Sequence, residues 1–370
     1  MAMRYALTYG LLLLCGYGSA QNLHINPGVD TLDADVRKSL AFYRDYLNQF
    51  RGLSTPGNFG TYWSQKDCER FVVPDPLIYA LNGSYPTYSL ASSKTLFYVK
   101  PEEKFVRFKV LYGWVDSTSI SLFCIANHYI RFNDKGNPEF VNAIALNTKD
   151  WAGTAIRNIT FVYPQYHKFD RLRADSLIAS VEDLEKQWSL KPVNITYFLA
   201  KTREEIDRIR GLDFSLLAGN REKPSGISND RNNIVYCSGL GENYLHEVVH
   251  VYLNNLYKQS PLVEGIAVFY GGSMGKSLKW HLARLKTYLQ ANPGIDLNKL
   301  DEFWYMDNFT NPNSTIKGML CRMAFEKDKV KGLRRIMSYK SMEEIFSNEF
   351  NVKKGEWNDF LRRSIDEMYK

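Results

Sequence analysis

Histidine is scarce in this chain, with only six among 370 residues. Cysteine is scarce too, and no CxxC pair or Cys/His spacing indicates a cysteine-based metal site. Four cysteines lie beyond residue 20, which permits disulfides but does not define their pairing. They are too scattered to make a disulfide scaffold, and they are Cys68, Cys124, Cys237 and Cys321.

The sequence has no block of lysine or arginine and no nucleic-acid-binding motif, although its net charge is +7. Nucleic-acid binding is therefore disfavoured. After the N-terminal segment no apolar run approaches the ~20 residues of a transmembrane helix, so we expect no integral membrane span. With 45% apolar and 24% charged residues the composition is that of a folded protein, and the length favours two domains.

Residues 1–20 have the three-part layout of a secretory signal peptide. Arg4 supplies an early positive charge, the leucines at 11–14 supply an apolar centre, and residues 18–20 are small. The apolar run is too short for a permanent membrane helix. We expect cleavage near Ala20 and an exported protein, either periplasmic or secreted.

Residues 21–165 are predicted to form an α+β N-terminal domain. Apolar residues at helical spacing predict a helix over 31–50. Segments rich in β-branched and aromatic residues then predict strands over 96–99, 105–114, 119–126, 129–132, 140–146 and 156–162. A helix followed by a curved antiparallel sheet is similar to the cystatin-like or NTF2-like layout. Its many aromatic residues either form the core or line a groove, so the domain is a candidate for binding substrate or a partner.

Residues 166–370 are predicted to form a second, mostly helical domain. The pattern predicts a helix over 174–188 and strands over 194–199 and 233–237. Thr202 and Glu205 stand at capping-box spacing and predict the start of another helix. From about residue 242 onward the sequence is almost entirely helical in pattern.

Two of the six histidines fall in the stretch LHEVVH, residues 245–250. Apolar residues recur at helical spacing there, so His246 and His250 lie one turn apart on one face of a helix. Both imidazoles could reach one ion at zinc–nitrogen distances of about 2.0–2.1 Å. Glu247 could project beside that ion and take a proton from water. The plainer alternative is an amphipathic helix that carries two imidazoles by chance.

The positions after His250 distinguish between the classes of HExxH protein. Metzincins would place a glycine and a histidine at the positions of Leu253 and Leu256, so that class is excluded. The first carboxylate after His250 is Glu264, in the stretch PLVEGIAVFYGG.

HEVVH followed at short spacing by PLVEGIAVFYGG resembles the gluzincin metallopeptidases of the peptidase-MA-like group. The resemblance covers the second half of the chain and implies a gluzincin-like zinc peptidase domain. It implies that His246, His250 and Glu264 bind one zinc ion and that Glu247 is the general base. It also implies that the substrates are peptides or proteins, hydrolysed at peptide bonds.

The pairing of Glu264 with the two histidines requires the HEVVH helix to end early. A helix continued to Lys258 would carry the chain about 12 Å beyond His250, too far for Glu264 to return. Asn254-Asn255 offers a helix end and Ser260-Pro261 the next helix start. The sequence therefore predicts a short helix, a reversal, and a second helix that carries Glu264.

Some expected parts of a gluzincin site are not evident. Thermolysin-type gluzincins carry an aspartate at the position of Val268 to orient a ligand histidine. Its role must pass to another group, for which Asn254 and a backbone carbonyl are candidates. The candidate oxyanion donors are His281, Tyr288 and Tyr305, each of which could equally be a packing residue.

Residues 271–276, GGSMGK, lack the full phosphate-loop spacing and instead predict a turn that ends a helix.

Two functions follow from the sequence. The first is an exported zinc-dependent metallopeptidase. The second is an exported binding protein on a catalytically degenerate peptidase scaffold.

Overall fold

The computed structural model describes residues 23–50, 52, 55–80, 85–216, 223–303 and 306–368. The predicted signal peptide lies outside them. The chain is a mixed α+β protein with two mixed sheets. It divides into a first unit of residues 1–150 and 202–223 and a second unit of residues 151–201 and 224–370.

The strands and helices are numbered in chain order. The strands are β1 (Leu23–Ile25), β2 (Ser93–Pro101), β3 (Val106–Val115), β4 (Ile120–Phe132), β5 (Pro138–Val141), β6 (Ala152–Ile156), β7 (Ile159–Tyr163), β8 (Ile195–Ala200), β9 (Leu212–Ser215), β10 (Ser225–Asn229) and β11 (Ile234–Ser238). The helices are α1 (Ala34–Leu47), α2 (Gln65–Arg70), α3 (Thr87–Leu90), α4 (Ala143–Asn147), α5 (Arg171–Trp188), α6 (Arg203–Ile209), α7 (Leu245–Leu253), α8 (Val263–Gly271), α9 (Leu278–Ala291), α10 (Pro312–Ser338), α11 (Met342–Glu344) and α12 (Trp357–Met368).

The first unit packs α1 on a sheet of order β1-β2-β3-β4-β5. The pair β1/β2 is parallel and the others are antiparallel. Alternate residues of β3 are buried, as expected for a sheet with one covered face. The helix α1 begins after Asp33, whose carboxylate accepts hydrogen bonds from the amides of Asp35 and Val36. The helix predicted over 31–50 is confirmed in shorter form.

Four predicted strands in this region have other bounds in the structure. Residues 119–126 and 129–132 belong to one long strand, β4, which continues through Asn127 and His128. The strand predicted over 140–146 ends at Val141, because the Asn142 side chain caps α4 by accepting from the amide of Ile144. The strand predicted over 156–162 is a hairpin of β6 and β7, which turns at Arg157 with φ of 55°.

The two units also differ from the predicted division at residue 165, for a reason visible in strand pairing. The hairpin β6/β7 joins the second unit because β7 pairs in parallel with β8. The strand β9 joins the first unit because it pairs with β4, beside β5. The element order of the sequence alone does not show these pairings.

Large aromatic residues of the first unit form its core. Tyr43, Tyr46, Tyr88 and Tyr112 are fully buried. Their hydroxyls meet two buried titratable groups: Tyr46 and Tyr88 each donate to the Asp75 carboxylate at 2.7 Å, and Tyr112 lies 2.8 Å from Nε2 of His128. These tyrosines therefore have a packing role and do not line a groove.

The second unit contains a sheet of order β10-β11-β8-β7-β6. The central strand β8 is parallel to both β11 and β7, and the outer pairs are antiparallel. Every residue of β11 is buried. The capping box is confirmed at its first residue, since the Thr202 hydroxyl accepts from the amide of Glu205 at 3.1 Å to start α6 in the first unit.

Helices α7 to α12 follow β11, as the sequence predicted from about residue 242. The helix α10 is interrupted at Asp328 and Lys329, where Lys329 takes a φ of 52°. No helix in the described part of the chain is both long and apolar enough to cross a membrane. Cys68, Cys124, Cys237 and Cys321 are all free thiols, and all but Cys68 are buried.

Acid should destabilise the protein through His128. Burial lowers the pKa of His128 to about 3. Between about pH 6.5 and about pH 3 the unfolded chain therefore binds a proton at this histidine and the folded chain does not. The stability contributed by neutral His128 is thus lost as pH falls, by up to about 1.4 kcal/mol per pH unit. Burial raises the pKa of Asp75, an effect of opposite sign, so the comparison must be between variants.

We expect His128→Gln to flatten the dependence of thermal stability on pH between about pH 6.5 and pH 4, because glutamine keeps a polar side chain and does not titrate. Melting temperatures of both proteins across this range give the measurement. The exposed His24 provides the control His24→Gln. An unchanged slope in His128→Gln would contradict the assignment.

Candidate metal centre

The helix α7 places the two motif histidines. It runs from Leu245 to Leu253, and every residue from His246 onward is buried. Val248, Val249 and Leu253 are fully buried in the core, which orients the helix so that His246 and His250 share another face. The helical prediction for HEVVH is confirmed.

The chain then reverses as predicted. The helix ends with Asn254 as its C-terminal cap, whose amide donates to the carbonyl of His250 at 3.0 Å. Ser260 and Pro261 precede α8, which begins at Val263. Glu264 therefore lies in the first turn of α8, opposite α7.

Two imidazoles and one carboxylate converge at this point. Nε2 of His246 and Nε2 of His250 are 3.2 Å apart. Oxygens of Glu264 lie 3.6 Å from the first of these nitrogens and 3.5 Å from the second. Ligand atoms around a tetrahedral zinc at 2.0–2.1 Å are separated by about 3.3–3.4 Å. The three side chains could therefore hold one metal ion, and no other such cluster occurs among the described residues.

Hydrogen bonds behind the rings fix their orientation. Nδ1 of His246 donates to the carbonyl of Gly272 at 2.6 Å, and Nδ1 of His250 donates to Oδ1 of Asn254 at 3.0 Å. Because both acceptors are oxygens, in the neutral rings the Nε2 atoms that face the centre carry the free lone pairs. Asn254 and a backbone carbonyl, the two candidates named for this position, thus accept the hydrogen bonds of the two rings. Val268 is buried in the core.

The close approach of α7 and α8 requires glycine. A Cβ at Gly271 would lie 2.4 Å from the backbone nitrogen of His246, which no side chain tolerates. The next residue, Gly272, has φ of 68° and ends α8 in the turn predicted over 271–276. These two glycines bring the carbonyl that orients His246 into place.

The side chain of Glu247 extends from α7 towards the edge strand β10. Its side chain is buried, and a Cβ at Gly226 of β10 would lie 2.5 Å from its Cγ and 2.6 Å from its Oε1. The same Cβ would lie 2.5 Å from the ring of Tyr244, which stacks on His246 with ring centroids 5.6 Å apart. Gly226 therefore gives the Glu247 carboxylate its space.

The charges at the centre attract one another. Burial alone would lower the pKa of His246, but its hydrogen bond with Glu264 and the nearby charges of Glu247 and Glu264 raise that pKa to about 9. Partial desolvation of the carboxylate alone would raise the pKa of Glu264, but His250, His246 and Lys317 lower it to about 2. A cation at this point would replace the imidazole protons in neutralising the carboxylates. The side chain of Glu264 remains 57% exposed, so the centre opens to solvent on that side.

The far end of α7 is anchored independently of the centre. The hydroxyl of Tyr252 donates to the buried carboxylate of Glu185 on α5. It also accepts from the amide of Val193 and from the side chain of Asn158, each at 3.1 Å. Arg157 holds the other oxygen of Glu185 at 2.6 Å.

Two of the candidate oxyanion donors, His281 and Tyr288, contact groups other than the centre. His281 is buried and uses both ring nitrogens, at 3.1 Å from the Thr310 hydroxyl and 2.9 Å from the Ser273 carbonyl. Tyr288 stacks on Phe303 with centroids 5.9 Å apart. Tyr305 lies outside the described residues. The groups that sequence reasoning missed are Tyr244, Gly226 and Lys317, because they carry no motif of their own.

Comparison of the chain with protein-family profiles, with curated proteins and with solved structures finds no match in any of the three.

The orienting role of Asn254 can be tested through metal affinity. We expect Asn254→Ala to weaken zinc binding by about 10–100-fold, because His250 loses the acceptor that fixes its ring. Competition with a chromogenic chelator gives the affinity. The control is Asn255→Ala, since Asn255 donates instead to the carbonyl of Asp230. Equal affinities for the two variants would show that the hydrogen bond does not orient the ligand.

Proposed function

We propose that the protein is an exported zinc-dependent metallopeptidase whose second unit is a gluzincin-like catalytic domain. The observation that carries the proposal is the convergence of His246, His250 and Glu264 within 4.8 Å of one another. Two histidines and one glutamate are a ligand set used by catalytic zinc sites, which keep a further position open. The cystatin-like or NTF2-like description of the first unit, and its binding of substrate or a partner, also remain proposals.

In this proposal His246, His250 and Glu264 hold the ion. A zinc ion bound there would supply a Lewis acid that lowers the pKa of water towards 7 and polarises a carbonyl. The Glu247 carboxylate accepts the proton that the attacking water loses, and then donates it to the leaving amine. The opening beside Glu264 would admit the substrate, and Gly226 would leave the Glu247 carboxylate free to move that proton.

The first test is zinc content and the role of Glu247. We expect about one zinc per chain in both the wild type and Glu247→Gln, with peptide cleavage reduced at least about 100-fold in the variant. Elemental analysis and an unbiased peptide-library digest, with and without chelator, give the two readings. The control is Glu326→Gln, which makes the same change at an exposed glutamate on α10.

Three results would argue against the proposal. Substoichiometric zinc would remove the metal site, and unchanged cleavage by Glu247→Gln would refute the general base. A wild type that binds zinc and cleaves no peptide would favour an exported binding protein on a degenerate scaffold.

The space beside Glu247 offers a second test. We expect Gly226→Ala to retain zinc but to lower kcat by about 10–100-fold, because the new methyl group displaces the Glu247 carboxylate. The matched control is Gly153→Ala in the edge strand β6, where the added Cβ meets only the carbonyl of Phe161 at 3.8 Å. Equal kcat values for the two alanine variants would contradict this role of Gly226.

A further inference from the structure

A cationic and aromatic patch lies on α9, on the turn that precedes it and on the loop that follows it. Trp280 and Arg284 stand one turn apart on α9, and Lys276 lies in the turn just before the helix. The Arg284 guanidinium lies 4.8 Å and the Lys276 ammonium 5.8 Å from the ring centroid of Trp280. Phe309, which is 41% exposed, lies with its ring 6.3 Å from that of Trp280.

Backbone contacts connect the patch to the centre. The carbonyl of Gly272 orients His246, and a Cβ on Gly272 would lie 2.0 Å from the carbonyl oxygen of Lys276. Lys276 and Ser273 exchange backbone hydrogen bonds of 2.8 Å and 2.9 Å. The backbone of Lys276 is therefore in contact with the residue that holds the first motif histidine.

Hydrogen bonds and an ion pair connect the parts of the patch. His281 bridges the carbonyl of Ser273 and the hydroxyl of Thr310, which joins the turn to the loop carrying Phe309. Asp307 accepts from the amides of Phe309 and Thr310 at 2.7 Å each and pairs with Arg284. A rigid surface can bind a ligand without first paying the entropy of ordering itself.

The positive charges of the patch outnumber the Asp307 carboxylate. The helix α9 contains no aspartate or glutamate, and Lys276 and Lys279 are exposed. Arg284 remains 43% exposed although it pairs with Asp307. The complementary ligand is an acidic segment, whose carboxylates meet Lys276 and Arg284 while its apolar side chains contact Trp280 and Phe309.

We propose that Lys276, Trp280, Arg284 and Phe309 bind an acidic stretch of the peptide substrate next to the metal centre. Calling this peptide a substrate rests on the proposed peptidase function. The binding of an acidic peptide by the patch is independent of cleavage, so the two can be tested apart.

Binding is measured on the full chain carrying Glu247→Gln, loaded with zinc, so that cleavage does not interfere. The probe is a short fluorescein-labelled peptide of alternating glutamate and phenylalanine, and its comparison peptide has glutamine in place of glutamate. We expect the acidic peptide to bind about tenfold more tightly by fluorescence anisotropy, since two exposed charge pairs contribute a few-fold each. The preference should weaken as salt rises.

Variants then locate the site. Lys276→Glu and Arg284→Gln should each reduce the preference for the acidic peptide to below about threefold. Trp280→Ala should weaken both peptides, because it removes apolar contact area. The matched control is Lys331→Glu, an exposed lysine on α10, which should leave the preference unchanged. Circular dichroism establishes that each variant is folded.

Equal binding of the two peptides, or a preference that Lys276→Glu and Lys331→Glu reduce alike, would overturn the proposal. So would tighter binding of a single-stranded oligonucleotide of the same charge. If the preference is located at the patch but the wild type cleaves no peptide, the acidic-peptide site stands and the peptidase function fails.

Discussion

The centre depends on one close approach, between the backbone of α7 at His246 and that of α8 at Gly271. A side chain at Gly271 would overlap the His246 nitrogen at 2.4 Å, so only glycine lets the two helices meet there. That approach sets the position of Glu264 opposite the rings and brings the Gly272 carbonyl behind His246. The short reversal at residues 254–262 returns the chain towards α7, and Gly271 allows the two helices to come this close.

The sequence predicted this part of the molecule well, because local signals determine it. Helical periodicity located α7, Asn254 ended it, and Ser260-Pro261 preceded the next helix. Since the intervening chain is short, few paths could connect the two helices. The helix end and the reversal followed from those local features, whereas the expectation that Glu264 joins His246 and His250 came from the resemblance to gluzincins.

The parts that sequence reasoning missed depend on contacts between distant segments. The strand β10, SGISN, has no alternation of apolar residues, and its pairing with β11 defines it. Gly226 matters because Glu247 and Tyr244 pack against it, and nothing in its own neighbours indicates this. The exchange of β6, β7 and β9 between the predicted domains has the same cause, because each strand is assigned by its partner. The early end of the strand after Phe140 has a local cause instead, the Asn142 cap of the next helix.

The hydrogen bonds of Tyr252 fix the end of α7 that lies away from the centre. Because Glu185, Val193 and Asn158 hold its hydroxyl, the far end of α7 is attached to the rest of the second unit without any help from an ion. If the centre binds an ion as proposed, this end of α7 would keep its place without it, unlike a zinc finger, in which metal binding and folding are one event. An ion would then enter a preformed site, and its loss would leave a folded apoprotein that can bind another ion.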